Sequence, residues 1–311
     1  MTLNERANRV ADEMEREAAA LRVSVSRVGG ARVIDCGGAV TGSLAAGLGL
    51  ARACLADLGD VRFVPCPVVG GPAVQVATDD PVRACLASQY AGWQVHVGKF
   101  FAMGSGPMRA LAAREELFAH IPGKEESPVA VGVLETRKHP TEEVIAGIVA
   151  KLPASAEALT LLVAPASSLA GTVQVVARSI ETALHKLHEL KFDVTQVMSG
   201  YGTAPLPPVA PDELAAIGRT NDAILYGGSV VLWVRGDDEL LDAIGPKVPS
   251  SASPDHGEPF AEIFKRYGDF YKIDPLLFSP AEVEFRNLKT GRCHRFGRLE
   301  PALVRKSFGL A

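Results

Sequence analysis

Two hairpin signals, one near each end of the chain, constrain its architecture most. In "RVSVSRVGGARVIDCG" two strand-like runs flank Gly29-Gly30, and paired glycines supply the positive φ angles of a two-residue turn. In "AEVEFRNLKTGRCHRFG" a second pair of runs turns at Lys289-Thr290-Gly291. Between these ends, strand and helix patterns do not alternate one to one. A doubly wound parallel sheet needs that alternation. The expectation is therefore an α+β (mixed α/β) fold of two domains with partly antiparallel sheets. The "SPVAV" stretch suggests an N-terminal domain over 1–127 and a C-terminal domain over 128–311, with the reservation that domains can be discontinuous.

The chain has 311 residues, 47% hydrophobic and 22% charged, enough apolar material for two packed cores. Lys and Arg number 32 against 36 Asp and Glu, for a net charge of −4. That balance gives no basic footprint for nucleic acid. The opening "MTLNERANRVADEMEREAAALRV" places Leu3, Ala7, Val10, Met14 and Ala18 on one helical face. It lacks the basic and apolar regions of a secretory signal, and no apolar run approaches the ~18 residues of a membrane span. Cys36, Cys54, Cys66, Cys85 and Cys293 are scattered with no C-x-x-C pair, as in a reduced, cytoplasmic protein. His185 and His188 form H-x-x-H without a third ligand at familiar spacing, so no metal site is expected. The common serine-hydrolase elbow, P-loop and zincin patterns are missing.

Four stretches carry candidate chemistry. "QVVARSIETALHKLHEL" reads as one regular helix, with Val173, Val176, Ile180, Leu184 and Leu187 on a core face. Arg178, Glu181 and His185 form a stripe opposite it. That stripe is either a solvated ion pair worth about 0.2–0.5 kcal/mol or a base held beside a cation on a rigid platform. "MGSGPMRAL" is a glycine-rich turn, Gly104, Ser105 and Gly106, leading into a helix read as running from Pro107 through "AREELFAHI". It is either an anion cradle completed by Arg109 or a tight turn. "SGYGTAPLPP" reads as an irregular loop presenting Tyr201 and Thr203. "SQYAGW" gathers Gln89, Tyr90 and Trp93, either for stacking a flat ligand or as core. "AGLGLAR" lacks the full dinucleotide fingerprint.

Taken together, "SLAGTVQVVARSIETALHKLHELKFD", "SGYGTAPLPP", "SQYAGWQV" and "FFAMGSGPMRAL" resemble the methenyltetrahydromethanopterin cyclohydrolase family. The resemblance runs from "ERANRVAD" to "LVRKSFGL". It implies reversible hydrolysis of 5,10-methenyltetrahydromethanopterin to the 5-formyl compound, with no metal or organic cofactor beyond the pterin substrate. It implies a Glu that activates water and an Arg three residues before it, which match Glu181 and Arg178. It further implies a pterin pocket between two halves and a homotrimer. By chemistry and motif position the pocket residues are Gln89, Tyr90, Trp93, Gly104, Ser105, Gly106, Arg109, Glu135, Tyr201, Gly202, Thr203 and Ala204; His185 is left without a role. The rival readings are a non-catalytic pterin carrier and another one-carbon enzyme such as a formyltransferase or a dehydrogenase. The composition suits a bacterium oxidising formaldehyde, whereas a methanogen would run the same chemistry in the reducing direction.

Overall fold

The computed structural model describes residues 1–268 and 272–310. The chain forms two compact units, one from residues 1–59 and 82–174, the other from 60–81 and 175–311. Each is discontinuous in sequence. Position 127 falls inside the first unit, whose strands on either side of it hydrogen-bond to one another.

The first unit is built on a six-stranded sheet in the order β1-β2-β8-β7-β6-β5. Its strands are β1 (Ser24–Val28), β2 (Ala31–Asp35), β5 (Trp93–Val97), β6 (Phe100–Ser105), β7 (Val129–Glu135) and β8 (Ala158–Ala164). The expected β1–β2 hairpin is present, with Gly29 and Gly30 at φ 52° and 83°. β2, β8 and β7 are parallel, whereas β7–β6 and β6–β5 are antiparallel. The apolar run of β8 is explained by burial on both faces. On one face Leu162 and Ala164 join Val131 and Val133 of β7 beneath α1 (Leu3–Arg16) and α3 (Leu44–Cys54). On the other, Leu161 and Val163 pack with Leu134, Trp93 and Met108, covered by Val144, Ile145 and Ile148 of α5 (Glu142–Val149). The α1 helix starts at a capping box between Thr2 and Glu5. Glu125 accepts the backbone N–H groups of Leu3 and Asn4 at 2.6 and 2.9 Å. Short α2 (Ala18–Leu21) follows.

The second unit holds a six-stranded sheet in the order β12-β11-β10-β9-β4-β3. Its strands are β3 (Gly59–Pro65), β4 (Pro72–Thr78), β9 (Val197–Pro205), β10 (Ser229–Val234), β11 (Glu282–Asn287) and β12 (Cys293–Gly297). The C-terminal hairpin is β11–β12, as its sequence predicts. β10 and β11 are parallel, and β9 is antiparallel to both β10 and β4. Val230, Leu232, Val234, Val283 and Phe285 are fully buried, while Ser229, Val231 and Trp233, alternating with the β10 set, are half-buried. The helices include α7 (Ser179–Glu189), α8 (Glu213–Leu225), α9 (Asp238–Ile244), α10 (Phe260–Tyr267) and α11 (Pro301–Phe308). No helix among the described residues is long and apolar enough to cross a membrane.

A buried carboxylate ties three of these helices together. Asp222 of α8 accepts the Phe260 N–H at the start of α10 at 2.9 Å and the Ser307 hydroxyl of α11 at 2.6 Å. Burial pushes its pKa up to about 7 against these hydrogen bonds. The folded state therefore holds this proton more tightly than the unfolded chain does. Its contribution to stability is complete below about pH 4, is lost as pH rises to about 7 and is constant above that. Asp222→Asn mimics the protonated form. The melting temperature of that variant relative to wild type should accordingly rise between pH 4.5 and 7 and then level off, as thermal scans across pH would record. A difference independent of pH would contradict the assignment.

Candidate active site

Glu181 and Arg178 do not sit within one continuous helix. α6 (Leu169–Val176) ends before Arg178, and α7 begins at Ser179. Arg178 is the N-cap of α7, at φ −92° and ψ 10°, with its N–H bonded to the Val175 carbonyl at 3.1 Å, a tight i→i−3 turn. The break contains neither Gly nor Pro, so the sequence pattern runs through it unmarked. The five positions read as a core face are all fully buried. The opposite stripe is not surface decoration, because Arg178 is 7% exposed and Glu181 5%. Glu181 lies in the first turn of α7. There the free N–H groups of a helix start favour negative charge, by about 0.3–1 kcal/mol at exposed sites and up to about 2 when partly buried. Such a place suits a carboxylate that must stay ionised to accept a proton.

His185, a turn further on, has Nε2 3.9 Å from Glu189. Lys186 is almost completely buried on the same helix and donates to the Leu276 carbonyl. Burial lowers its amine to about 8, opposed by nearby Asp274.

The "SGYGTAPLPP" stretch corrects the sequence expectation. Residues Val197–Pro205 form the strand β9 inside the sheet. Its glycines are there for packing. A Cβ on Gly202 would stand 2.4 Å from Ser179 Oγ and 2.9 Å from Ile180 Cγ1, and one on Gly200 would stand 3.0 Å from Ile180 Cγ2. Alternate positions without side chains therefore let the start of α7 lie directly on the strand. Ser179 is fully buried, and its hydroxyl has no hydrogen-bond partner among the described residues.

Strand alternation turns Tyr201 and Thr203 to the face opposite Gly200 and Gly202. Tyr201 donates to Gln75 Oε1 at 3.2 Å. Tyr201, Thr203 and Ala204 line a cleft of about 380 Å³ with Cys66, Ser229 and Glu282. Within it Glu282 accepts from Ser229 at 3.0 Å and from Arg295 at 2.7 Å. The Tyr201 and Thr203 hydroxyls and the start of α7 are thus on different faces of β9.

In the first unit "PVRACLASQYAGW" forms a π-helix over Val82–Gln89 where an ordinary helix was expected. The Tyr90 N–H continues its wide pattern to the Cys85 carbonyl at 2.7 Å. Single π turns often mark functional sites. Gln89 is fully buried and Tyr90 half-buried, whereas Trp93 belongs to the core beside Met108 and Leu134. The glycine-rich turn is tightly packed. Gly104 lies where a Cβ would be 2.8 Å from the Trp93 carbonyl oxygen, and Gly106 takes φ +88°. Ser105 Oγ is 3.2 Å from Cys54 Sγ. The following helix α4 is only Met108–Ala112, ended by Ala113 at φ 45°, with a separate 3₁₀ turn at Glu116–Ala119. Arg109 is fully buried and engaged internally by Glu115 and by the carbonyls of Leu86, Ala87 and Ser88. Its guanidinium does not complete an anion cradle. Glu135 closes β7, opposite Met103 of β6.

Comparison with known proteins decides the family. The sequence model described as Cyclohydrolase (MCH) matches residues 2–308. The chain belongs to the cyclohydrolase (MCH) family. Among its relatives, the methenyltetrahydromethanopterin cyclohydrolase of Rhodopirellula baltica is 51% identical over 291 residues, 91% of this chain and 87% of that protein. The protein of that name from Methylobacterium sp. strain 4-46 is 46% identical over 315 residues, covering 99% and 97% of the two chains. The one from Methanococcoides burtonii is 40% identical over 317 residues, covering 100% and 99%.

In this cyclohydrolase-family chain, sequence reasoning passed over Glu115, Gly92 and Gln75. Glu115 lies in "AAREELFAHI", which reads as part of one helix from Pro107. Nothing in that pattern signals that its carboxylate meets a buried guanidinium. Gln75 sits in a strand whose partner, β9, comes more than a hundred residues later.

Proposed function

We propose that this protein catalyses the reversible hydrolysis of 5,10-methenyltetrahydromethanopterin to 5-formyltetrahydromethanopterin in one-carbon metabolism. The observation that carries this reading is the family match over residues 2–308, with relatives of that name at 40–51% identity over nearly the whole chain.

The substrate's methenyl carbon bridges two nitrogens and shares their positive charge. Water attacks that carbon, and Glu181 takes a water proton as the C–O bond forms. The bond from the carbon to the second nitrogen then breaks. A proton goes to the leaving nitrogen, and the formyl group stays on N5. Overall one water is added and one proton released. Arg178, three residues ahead of the base, favours its ionised form. The buried carboxylate at the start of α7 also suits a cationic substrate. Gln89, Tyr90 and Glu135 contact the pterin. No metal or organic cofactor takes part, and the protein acts in the cytoplasm as a homotrimer.

The test is product identity. Purified protein with methenyltetrahydromethanopterin, and no added nucleotide or metal, should yield the 5-formyl compound by chromatography. In heavy-oxygen water the label should enter the formyl group. A product that requires added nicotinamide would place the chain with the dehydrogenases. Binding without turnover would make it a carrier.

A further inference from the structure

A π-helix is held by wide i→i+5 hydrogen bonds and rarely persists without outside support. Here one side chain supplies much of that support. Arg109 Nη1 lies 2.9 Å from the Leu86 carbonyl and 3.3 Å from those of Ala87 and Ser88. These are the carbonyls of the last turn, immediately before Gln89 and Tyr90. The Gly106 N–H also donates to Ser88, at 2.8 Å. The other edge of the guanidinium, Nε and Nη2, grips both carboxylate oxygens of Glu115, with Nε–Oε1 at 2.9 Å. A planar fork can make both sets of bonds at once, and an ammonium cannot.

The segment is fixed from three further directions. The Tyr90 ring lies under the guanidinium, 5.0 Å from its carbon, and the Phe118 ring is 5.5 Å away. A Cβ on Gly92 would stand 2.3 Å from Glu115 Oε2 and 2.8 Å from the Tyr90 ring, so an alanine there has to push the carboxylate or the ring aside. Trp93 is anchored in the core. Arg109 is fully buried while the Glu115 side chain keeps 22% of its exposure, and removing a guanidinium from water costs several kcal/mol before pairing. Apolar side chains would fill the same space without that cost, so the pair's use lies in what it holds still.

We infer that Arg109 and Glu115 are positioning residues for substrate binding: together with Gly92 they lock the end of the π-helix and hold Gln89 and Tyr90 in the geometry that receives the pterin. This rests on the proposed reading that Gln89 and Tyr90 contact the substrate. The pair does not touch the reacting atoms. Loosening it weakens substrate binding and leaves the chemical step alone.

The experiment is steady-state kinetics of full-length Glu115→Gln, Arg109→Lys and Gly92→Ala beside Gln89→Ala and the double variant Glu115→Gln/Gln89→Ala. The expected result is a KM raised roughly tenfold in each single variant, the scale of one lost hydrogen bond, with kcat within about twofold of wild type, as for loss of uniform binding. The double variant should lose less than the sum of the two single effects, because part of what Glu115→Gln loses acts through Gln89. Unchanged KM in Glu115→Gln, with KM raised in Gln89→Ala, overturns the positioning role and leaves the binding reading standing. Unchanged KM in Gln89→Ala removes the binding reading and the inference with it. A fall in kcat at constant KM in Glu115→Gln also overturns the inference. If Arg109→Lys fails to fold, Glu115→Gln and Gly92→Ala decide the question, since each leaves the arginine in place.

Discussion

With Glu181 as the proposed base, Glu181→Gln is expected to lower kcat by about 10²–10⁴-fold, the usual worth of one general base. The amide has the shape of the carboxylate and cannot accept the water proton. Substrate binding survives, apart from the part that depends on attraction between the carboxylate and the cationic bridge. Loss of the favourable placement of a negative charge at the start of α7 contributes about 0.3–2 kcal/mol to the stability change. Turnover measured beside circular dichroism and a thermal scan separates these effects. A folded Glu181→Gln protein with near-normal kcat would move the base to another residue.

Gly202→Ala is expected to damage stability and activity together. The new methyl would stand 2.4 Å from Ser179 Oγ and 2.9 Å from Ile180 Cγ1. Neither neighbour is a flexible tip at the surface; both are fully buried at the start of α7. Overpacking of this kind costs about 1–3 kcal/mol. The clash is relieved by moving the first turn of α7, which carries Glu181 and follows Arg178. A displacement near 1 Å there costs roughly a hundredfold in kcat. Adding Ser179→Ala removes the closer of the two clashes and should restore part of the lost melting temperature. Ser199→Ala, on the other face of the same strand, loses a hydrogen bond to Asp79 and should leave both properties close to wild type. Gly202→Ala with wild-type kcat would show that α7 tolerates the shift and that the glycine is not needed to place the base.

The local elements were largely legible. Gly29-Gly30 gave the first hairpin, and Lys289-Thr290-Gly291 the last, because turn chemistry acts over a few residues. The apolar period of Val173 to Leu187 located a buried face correctly. The mistakes share one cause, dependence on distant partners. Tyr201 to Pro205 read as an irregular Gly/Pro loop because glycine and proline are frequent in turns. In the fold the bareness of Gly200 and Gly202 is what α7 requires. The break at Ala177-Arg178 left no breaker residue in the sequence. Residues 60–81 join the second unit because β4 pairs with β9, a contact that no local pattern encodes.

The candidate site was legible to a similar degree. Spacing placed Arg178 and Glu181 on one stripe, but their burial, which separates a surface position from a protected one, depends on what packs over them. Arg109 was found by its place beside a glycine turn. Its engagement depends on Glu115 and on the carbonyls of a π-helix, a geometry the ordinary helical period of "PVRACLASQ" does not announce.

One optical measurement tests the central claim most directly. Wild-type protein is mixed with methenyltetrahydromethanopterin in a buffer that slows spontaneous hydrolysis, with no nucleotide or metal added, and loss of the conjugated methenyl absorbance is followed. A cyclohydrolase gives a fast, protein-dependent loss that ends in the 5-formyl product. Loss at the buffer rate, from folded protein that still binds the pterin, would contradict that activity.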